Sequence, residues 1–440
     1  MQRYYVIPSD FRLRLDPATI VHGDALLGGT PFRLVRLSGA QKAAVERWQR
    51  GEAVGEDGAL ARALVHANLA QPIPPPGHVP ADVTVVVPTR DRDPAALVAA
   101  LGDTRVVVVD DGSRSPVAGA AVRHATARGP AAARNAGAAL VTTPLVAFLD
   151  SDTRPREGWL DAILPHFKDP RVALVAPRIV AAREDGWLGR YEAKHSPLDR
   201  GPLPARVVPK GRVPFVPGAA LVMRTHLAHF DETLGTGGED VELVWRLNAE
   251  GHHVRYEPSS HVEHEHRTNA RAWLARRAYY GRTAAPLAKR NPDHAKPLHM
   301  SPWTAATYVA LAARRPKTAA AITAAATALL ARRLAGAHTA AAEDVRLAGR
   351  LVLAGTFGAR HLVADALLRQ YWPLALARPK YLAAAALTKT PLATLDALAF
   401  GAGVWQGCLA HRTFDPLKPD LTWRMVECDA DALIKLAGFA

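Results

Sequence analysis

The 440-residue sequence predicts an α/β fold over residues 81–295, built on a mixed sheet, with a small α+β domain before it (1–70) and a helical region after it (296–440). Three observations predict it. Runs of β-branched residues at Val83–Val87 and Arg105–Val109, and an apolar run ending at Phe148-Leu149, each stop at a polar or acidic group. That is the pattern of buried parallel strands whose carboxyl ends open into a crevice. A proline run, Gln71-Pro-Ile-Pro-Pro-Pro-Gly-His78, cannot continue a helix and marks a stiff linker over 71–80. Beyond residue 300 the chain turns Ala- and Leu-rich, with helical composition near 303–336, 341–370 and 379–412.

In the first domain, Phe11-Arg-Leu-Arg-Leu15 alternates like a strand, Leu27-Gly-Gly-Thr30 reads as a turn and Ala40–Arg50 as a helix. The outline is compatible with a small winged helix, and equally with a plain capping domain. Next, the Val83–Val87 strand, a helical segment at Pro94–Leu101 and the Arg105–Val109 strand form the strand-helix-strand unit that opens a nucleotide-binding sheet. The turn after the first strand is Pro88-Thr89-Arg90-Asp91, without the glycines of a dinucleotide site, and no Gly-x-x-x-x-Gly-Lys follows any strand. Asp110-Asp111-Gly112 could accept hydrogen bonds from a uracil N–H or a ribose hydroxyl, or could simply form a strand-end turn.

Arg128-Gly-Pro-Ala-Ala-Ala-Arg134-Asn135-Ala-Gly137 reads as a helix start. Its N-terminus and two arginines suit a phosphate-bearing ligand, with an ordinary surface helix as the alternative. Asp150-Ser151-Asp152 follows the next strand. Two hard carboxylates one residue apart suit Mg²⁺ or Mn²⁺, which keep open positions for diphosphate oxygens, although such carboxylates also cap turns. Gly237-Gly238-Glu239-Asp240 leads into an amphipathic helix, Val241–Leu247. A carboxylate there could take the proton of an attacking hydroxyl, or could cap the helix. Of the three histidines that follow (His261, His264 and His266), one could complete a metal site begun at Asp152. An independent zinc site would lack thiolates, since the only cysteines are Cys408 and Cys428.

The order and spacing of these motifs resemble the inverting glycosyltransferases of family 2, of the GT-A fold with a Rossmann-like mixed sheet, over about residues 82–290. The resemblance implies a UDP-sugar or related nucleotide-sugar donor, contacted by Pro88, Thr89, Arg90, Asp110 or Asp111, Gly112, Arg128, Arg134, Asn135, Asp150 and Ser151. It implies a divalent metal, Mg²⁺ or Mn²⁺, at Asp150, Asp152 and His264, and catalysis by Asp240 with Glu239 beside it. Phe215-Val-Pro-Gly-Ala-Ala220 resembles the family's acceptor-side loop, so Gly218, Ala219, Gly238, Trp245 and Arg246 are expected to face the acceptor. The N-terminal outline resembles peptide-recognition domains of enzymes that modify ribosomally made peptides. With the long Ala/Arg-rich tail, the whole resembles the mycofactocin-system branch of the family. That branch implies glucose transfer from UDP-glucose onto a peptide-derived redox cofactor, building a β-linked oligoglucose chain.

Length allows two or three domains, and two cysteines fit a reducing cytosol. The start Met1-Gln-Arg-Tyr-Tyr-Val6 lacks the apolar core of a signal peptide, so the expected location is cytoplasmic. A net charge of +14 attracts anions, yet no basic tract with interleaved aromatics suggests nucleic acid. In the tail, Lys317 and Arg332 bracket only fourteen uncharged residues, short of the roughly 18 that a spanning helix needs, so integral insertion is not expected. Peripheral contact with the inner face of an anionic membrane remains open, as does a helical appendage that packs over the acceptor side or mediates self-association. Two other functions stay in view: a membrane-associated cell-wall or glycolipid transferase, and an inactive sugar-nucleotide-binding module.

Overall fold

The computed structural model describes residues 6–77, 82–235, 237–267, 269–335, 340–422 and 425–439. The chain forms two compact units: residues 1–16, 46–273 and 434–440, and residues 17–45 and 274–433.

The first unit is organised by a nine-stranded mixed sheet. Its order is Thr153–Pro155, His253–His264, Val172–Ala181, Ala220–Arg224, Leu145–Leu149, Val83–Thr89, Arg105–Asp110 and Val122–Arg123, with Ala205–Arg206 added beside His253–His264. Val83–Thr89 runs parallel to both Leu145–Leu149 and Arg105–Asp110, so Pro88-Thr89, Asp110 and Asp150 emerge at one end of the sheet. Ala220–Arg224 is antiparallel to Leu145–Leu149 and brings the Gly218-Ala219 turn to the same end. The strands are legible because they are buried on both faces: all five residues of Leu145–Leu149 are buried. The core beneath them joins Val85, Val87, Leu97, Leu149, Ile163 and Val262. Helix Pro130–Ala138 opens on Pro130, at a position where no backbone N–H is needed. It lies close on the sheet because Gly137 has no side chain; a Cβ there would overlap Val86.

The expected proline linker begins inside a strand. Ala70–Ile73 pairs antiparallel with Arg12–Leu15, and His78–Ala81 lie outside the described residues. Helix Gly58–His66 is tied to this unit by Arg62, whose guanidinium donates to both oxygens of Asp169 at 2.7 and 2.6 Å.

The second unit holds a four-stranded sheet in the order Val426–Asp429, Arg33–Arg36, Ala25–Gly28, Ile20–His22. Of the expected turn Leu27-Gly-Gly-Thr30, Leu27 and Gly28 end the Ala25–Gly28 strand and Gly29-Thr30 make the turn. Pieces read together as a winged helix therefore go to both units, and Arg33–Arg36 takes as parallel partner a strand from near the far end of the chain. The tail is helical as expected, broken into Pro302–Ala312, Pro316–Leu334, Ala341–Arg369, Trp372–Leu376, Pro379–Leu387 and Pro391–His411. Proline occupies the first or second position of several of them. Their packing relies on small residues: a Cβ at Gly281, Gly401, Gly403 or Gly407 would overlap the backbone of a neighbouring helix. The fourteen-residue run at 318–331 is too short to span a membrane, but Ala341–Arg369 and Pro391–His411, each with an 18-residue stretch of mean hydropathy 1.4 and 1.2 respectively, are long and apolar enough to do so by length and composition. The expectation drawn from the first run does not extend to these two.

Candidate active site at the carboxyl ends of the central strands

Arg134 is the hub of the site. It sits in helix Pro130–Ala138 and is buried. Its Nη2 donates to Asp150 Oδ1 (2.8 Å) and to the Gly218 carbonyl (3.1 Å), while Nη1 donates to Glu239 Oε1 (2.8 Å). Burial alone would lower its pKa, but the charges of Asp150, Glu239 and Asp240 outweigh that and raise it, so the guanidinium is permanently charged. Three motifs far apart in sequence thus converge on one cation. Expected as a donor contact, Arg134 is committed to the protein's own carboxylates.

The Asp-Ser-Asp turn is held from outside as well. Asp150 N–H donates to the Ala219 carbonyl (3.0 Å), and Arg92 donates from Nε to the Ser151 carbonyl (2.9 Å) and from Nη2 to Glu265 (2.6 Å). The Asp152 side chain is left open. Its Oδ1 is buried without a hydrogen-bond partner and lies 3.4 Å from His264 Nε2, whose Nδ1 is likewise buried and unpartnered. Burial pushes the Asp152 carboxyl above its usual pKa, against the opposing charge of His264 and with the support of Asp150. Of the three histidines only His264 adjoins this turn: His261 bonds the Ser259 carbonyl, and His266 lies 3.5 Å from Glu192. Among the described residues no three His, Cys, Asp or Glu side chains converge as a preformed cage. A hard, orphaned carboxylate oxygen beside an imidazole fits Mg²⁺ or Mn²⁺, which take one or two carboxylates and keep their other positions for water and phosphate.

On the other side of Arg134, Gly238 adopts the left-handed conformation (φ 90°) and starts helix Glu239–Ala249. Asp240 Oδ2 accepts the Gly218 N–H (2.9 Å) and Oδ1 accepts the Val241 N–H (2.8 Å), which aims the carboxylate from the first helical turn. Glu239 is buried, and burial with the neighbouring Asp240 charge raises its pKa despite Arg134. A Cβ at Gly218 would press on the Arg134 guanidinium at 3.1 Å, so a side chain there would have to shift it by a few tenths of an ångström.

Other expected residues sit nearby in supporting positions. Asp110 accepts the Ser113 and Val117 N–H groups (2.8 and 3.2 Å) and pairs with Arg123. Burial pushes its pKa up, yet these bonds win and hold it below the usual value. Asp111 accepts the N–H groups of Arg128 and Gly129 and meets His124 Nδ1 at 2.7 Å. Gly112 (φ 70°) allows that loop to close, since a Cβ would overlap the backbone at Thr126-Ala127. Thr89 Oγ1 donates to the Arg92 carbonyl, Pro88 is half-buried at the strand end, and Arg90 is exposed beyond it. Arg128 pairs with Glu232, and Asn135 binds the main chain of Phe230 in both directions. Trp245 is buried in the core, and Arg246 donates to the His229 carbonyl (2.7 Å). Sequence reasoning missed Arg92, although it stands three residues past the strand end in a run of charges. It also missed Arg200, whose guanidinium lies over the Phe215 ring.

Residues 84–230 match the family model for glycosyl transferase family 2. The chain is 40% identical over 470 residues to the pre-mycofactocin glycosyltransferase of Mycobacterium tuberculosis, covering 94% of this chain and 98% of that protein. It is 29% identical over 249 residues to the validoxylamine A glucosyltransferase of Streptomyces hygroscopicus subsp. limoneus, covering 44% and 54% respectively. Among solved structures, a mannosyltransferase from Pyrobaculum calidifontis in complex with GDP-Man and Mn²⁺ is 20% identical, with 71% of this chain and 90% of that one covered and a TM-score of 0.37. The family rests on the family model and on the Mycobacterium tuberculosis relative, whose match runs nearly end to end: this chain belongs to glycosyl transferase family 2 and is a glycosyltransferase.

Proposed function

We propose that the enzyme transfers glucose from UDP-glucose, with inversion, onto a hydroxyl of a peptide-derived acceptor of the pre-mycofactocin type and extends it into a β-linked oligoglucose chain. The near full-length likeness to the pre-mycofactocin glycosyltransferase carries this reading. The residues supply a matching mechanism. Asp240, held by two backbone N–H groups, takes the proton of the acceptor hydroxyl as its oxygen attacks the anomeric carbon. The bond to the nucleotide diphosphate breaks from the opposite face, so one displacement inverts the centre. A divalent cation on Asp152, Asp150 and His264 would neutralise the departing diphosphate. Arg134 keeps the Asp150 turn and the Glu239-Asp240 turn in fixed relation, which holds the reacting groups aligned.

The test is calorimetry with UDP-glucose, UDP-galactose, UDP-GlcNAc, GDP-mannose and dTDP-rhamnose, each with and without Mn²⁺, followed by assignment of the product's anomeric configuration. Metal-dependent preference for UDP-glucose and a β-linked product are expected; preference for another donor, or retention, would overturn the reading. Asp240→Asn should keep donor affinity and lose transfer by about 10²- to 10⁴-fold.

We further propose that the helical unit rests on an anionic bilayer surface. That unit carries 24 Lys and Arg against 11 Asp and Glu, whereas the catalytic unit carries 31 against 30. Nearly all of the net charge therefore lies on one side of the division. On helix Ala341–Arg369, Arg346, Arg350, Leu353, Phe357 and Arg360 recur at intervals of four and three and are all exposed, Phe357 by 63%. The residues that this helix buries include Ala348, Ala359, Ala364 and Ala366. Cationic side chains interleaved with apolar ones fit anionic headgroups over acyl chains. Flotation with phosphatidylglycerol vesicles, lost in neutral phosphatidylcholine vesicles and weakened by Leu353→Ser with Phe357→Ser, is expected; absence of flotation with the anionic vesicles would sink the proposal.

A further inference from the structure

The guanidinium of Arg200 is a cation for which the described residues provide no acceptor along one edge. Its Nε and Nη2 are both buried and make no hydrogen bond. These two nitrogens form the edge that binds a pair of oxygens side-on. Arg178 uses the same edge in this protein, donating from Nε (2.9 Å) and Nη2 (2.8 Å) to the two oxygens of Asp199. In Arg200 the same edge is buried and meets no acceptor among the described residues.

The side chain is also held in place. Asp199, on one side, is gripped by Arg178 and accepts the Gly201 N–H at 2.8 Å. Gly201, on the other, accepts the Tyr256 hydroxyl at 2.7 Å through its carbonyl. The guanidinium lies over the Phe215 ring, 3.8 Å from its centre. Phe215 opens the segment whose Gly218 N–H binds Asp240, so one short loop positions both the Arg200 platform and the base. Burial lowers the Arg200 pKa to about 10, opposed first by the charge of Asp240, and the side chain is still a cation at neutral pH. The contrast with Arg134 is instructive: that guanidinium is buried too, but has two carboxylates and a carbonyl to bind. A rigid, desolvated cation with an empty two-point edge is arranged for a group that arrives from outside.

We propose that Arg200 is an acceptor-binding residue, whose Nε–Nη2 edge grips two neighbouring oxygens of the acceptor beside the hydroxyl that Asp240 deprotonates. This rests on the assignment of Asp240 as the base and names the chemistry that the acceptor must offer: a vicinal pair of oxygens, either two hydroxyls of a sugar already attached or adjacent oxygens of the peptide-derived part. Grip at two points fixes the rotation of the acceptor about the attacking oxygen, which a single hydrogen bond to the base would leave free. The edge also gives a reason for tolerating a buried, unpaired cation.

The experiment compares wild type with Arg200→Ala and Arg200→Lys. Binding of UDP with Mn²⁺ reports the donor side; binding of cellobiose in the presence of UDP and the KM of the peptide-derived acceptor report the acceptor side. Expected for Arg200→Ala are UDP affinity within twofold of wild type, an unchanged or higher Tm, and a tenfold or greater weakening on the acceptor side. Arg200→Lys should restore little, because an ammonium keeps the charge but loses the edge. Weakened cellobiose binding assigns the edge to sugar hydroxyls; unchanged cellobiose binding with a raised KM assigns it to the peptide-derived part. A tenfold loss of UDP affinity would place Arg200 on the donor, and no change in any acceptor measurement would remove it from the site; either overturns the proposal. Failure of the function reading is seen separately, as wild-type enzyme that binds UDP but transfers no glucose.

Discussion

Asp110-Asp111 and Asp150-Ser151-Asp152 end two strands that flank the same neighbour, Val83–Thr89, in one parallel arrangement. The first pair is consumed by its own chain: Asp110 ties down the loop through Ser113 and Val117, and Asp111 ties down Arg128-Gly129 at the entry to the next helix. The second pair is only half consumed, since Asp150 is paired with Arg134 while an oxygen of Asp152 has no hydrogen bond at all. Hydrogen bonds pull the Asp110 pKa down, and burial pushes the Asp152 pKa up. A carboxylate filled by backbone donors and one with an open oxygen look alike as letters; the difference lies in which backbone donors reach them.

The sharpest break in that comparison is functional. Asp152→Ala should cut transfer by at least about 10²-fold and abolish the effect of Mn²⁺ on nucleotide affinity, since the metal's contribution to leaving-group stabilisation is worth several kcal/mol. Its thermal midpoint should fall little, because Oδ1 accepts no hydrogen bond and burial works against the charge; a large loss of stability with metal response intact would exchange the roles of the two pairs. Asp111→Ala is the counterpart. It leaves two N–H groups and His124 without their acceptor and should cost roughly 2–4 kcal/mol of stability, read from denaturant unfolding. Its nucleotide affinity, measured where the variant is folded, should change by less than that of Asp152→Ala.

Gly112→Ala tests the same loop through its backbone. The new Cβ meets the chain at Thr126-Ala127 in a left-handed conformation, and a loss of about 1–3 kcal/mol is expected. The smallest effect is in pH. Stability supplied by Asp110, whose folded pKa lies below 3.8, is present above that value and disappears as the pH falls through the folded pKa. The deficit of Asp110→Asn relative to wild type should therefore shrink on acidification below about pH 4. In EDTA, Asp152 should do the opposite. Its folded pKa is raised, so wild type loses stability relative to Asp152→Asn as the pH climbs from 3.8 through the folded value. Urea midpoints across this range, at fixed ionic strength, would show whether the two curves have opposite slopes.

Much of the catalytic unit could be read in advance, because buried strands announce themselves by β-branched runs and their ends by charge. Val83–Thr89, Arg105–Asp110 and Leu145–Leu149 fall where those runs stop, and helix Glu239–Ala249 begins at its acidic pair. Partners at long range could not be read. Nothing in Arg134 says that it meets Glu239, which is 105 positions away, and nothing in Arg200 says that its edge meets no one. The N-terminal strands show the same limit. Alternation marks Arg12–Leu15 as a strand but does not name its partner Ala70–Ile73, and Arg33–Arg36, without alternation, pairs with Val426–Asp429. A period of two tells a strand from a helix without telling one neighbour from another.

Bare backbone sets the register of helix Pro391–His411 among its neighbours. Gly403 and Gly407 come so near Ala278 and Arg282 that a methyl group would collide with main chain, and Gly401 does the same at Arg369. The helices are thus aligned by what they lack, and their bulky residues are released from holding the unit together. Leu353, Phe357 and Leu409 are exposed and can drift in size and kind without loosening the packing beneath them, while the inner seam must stay bare.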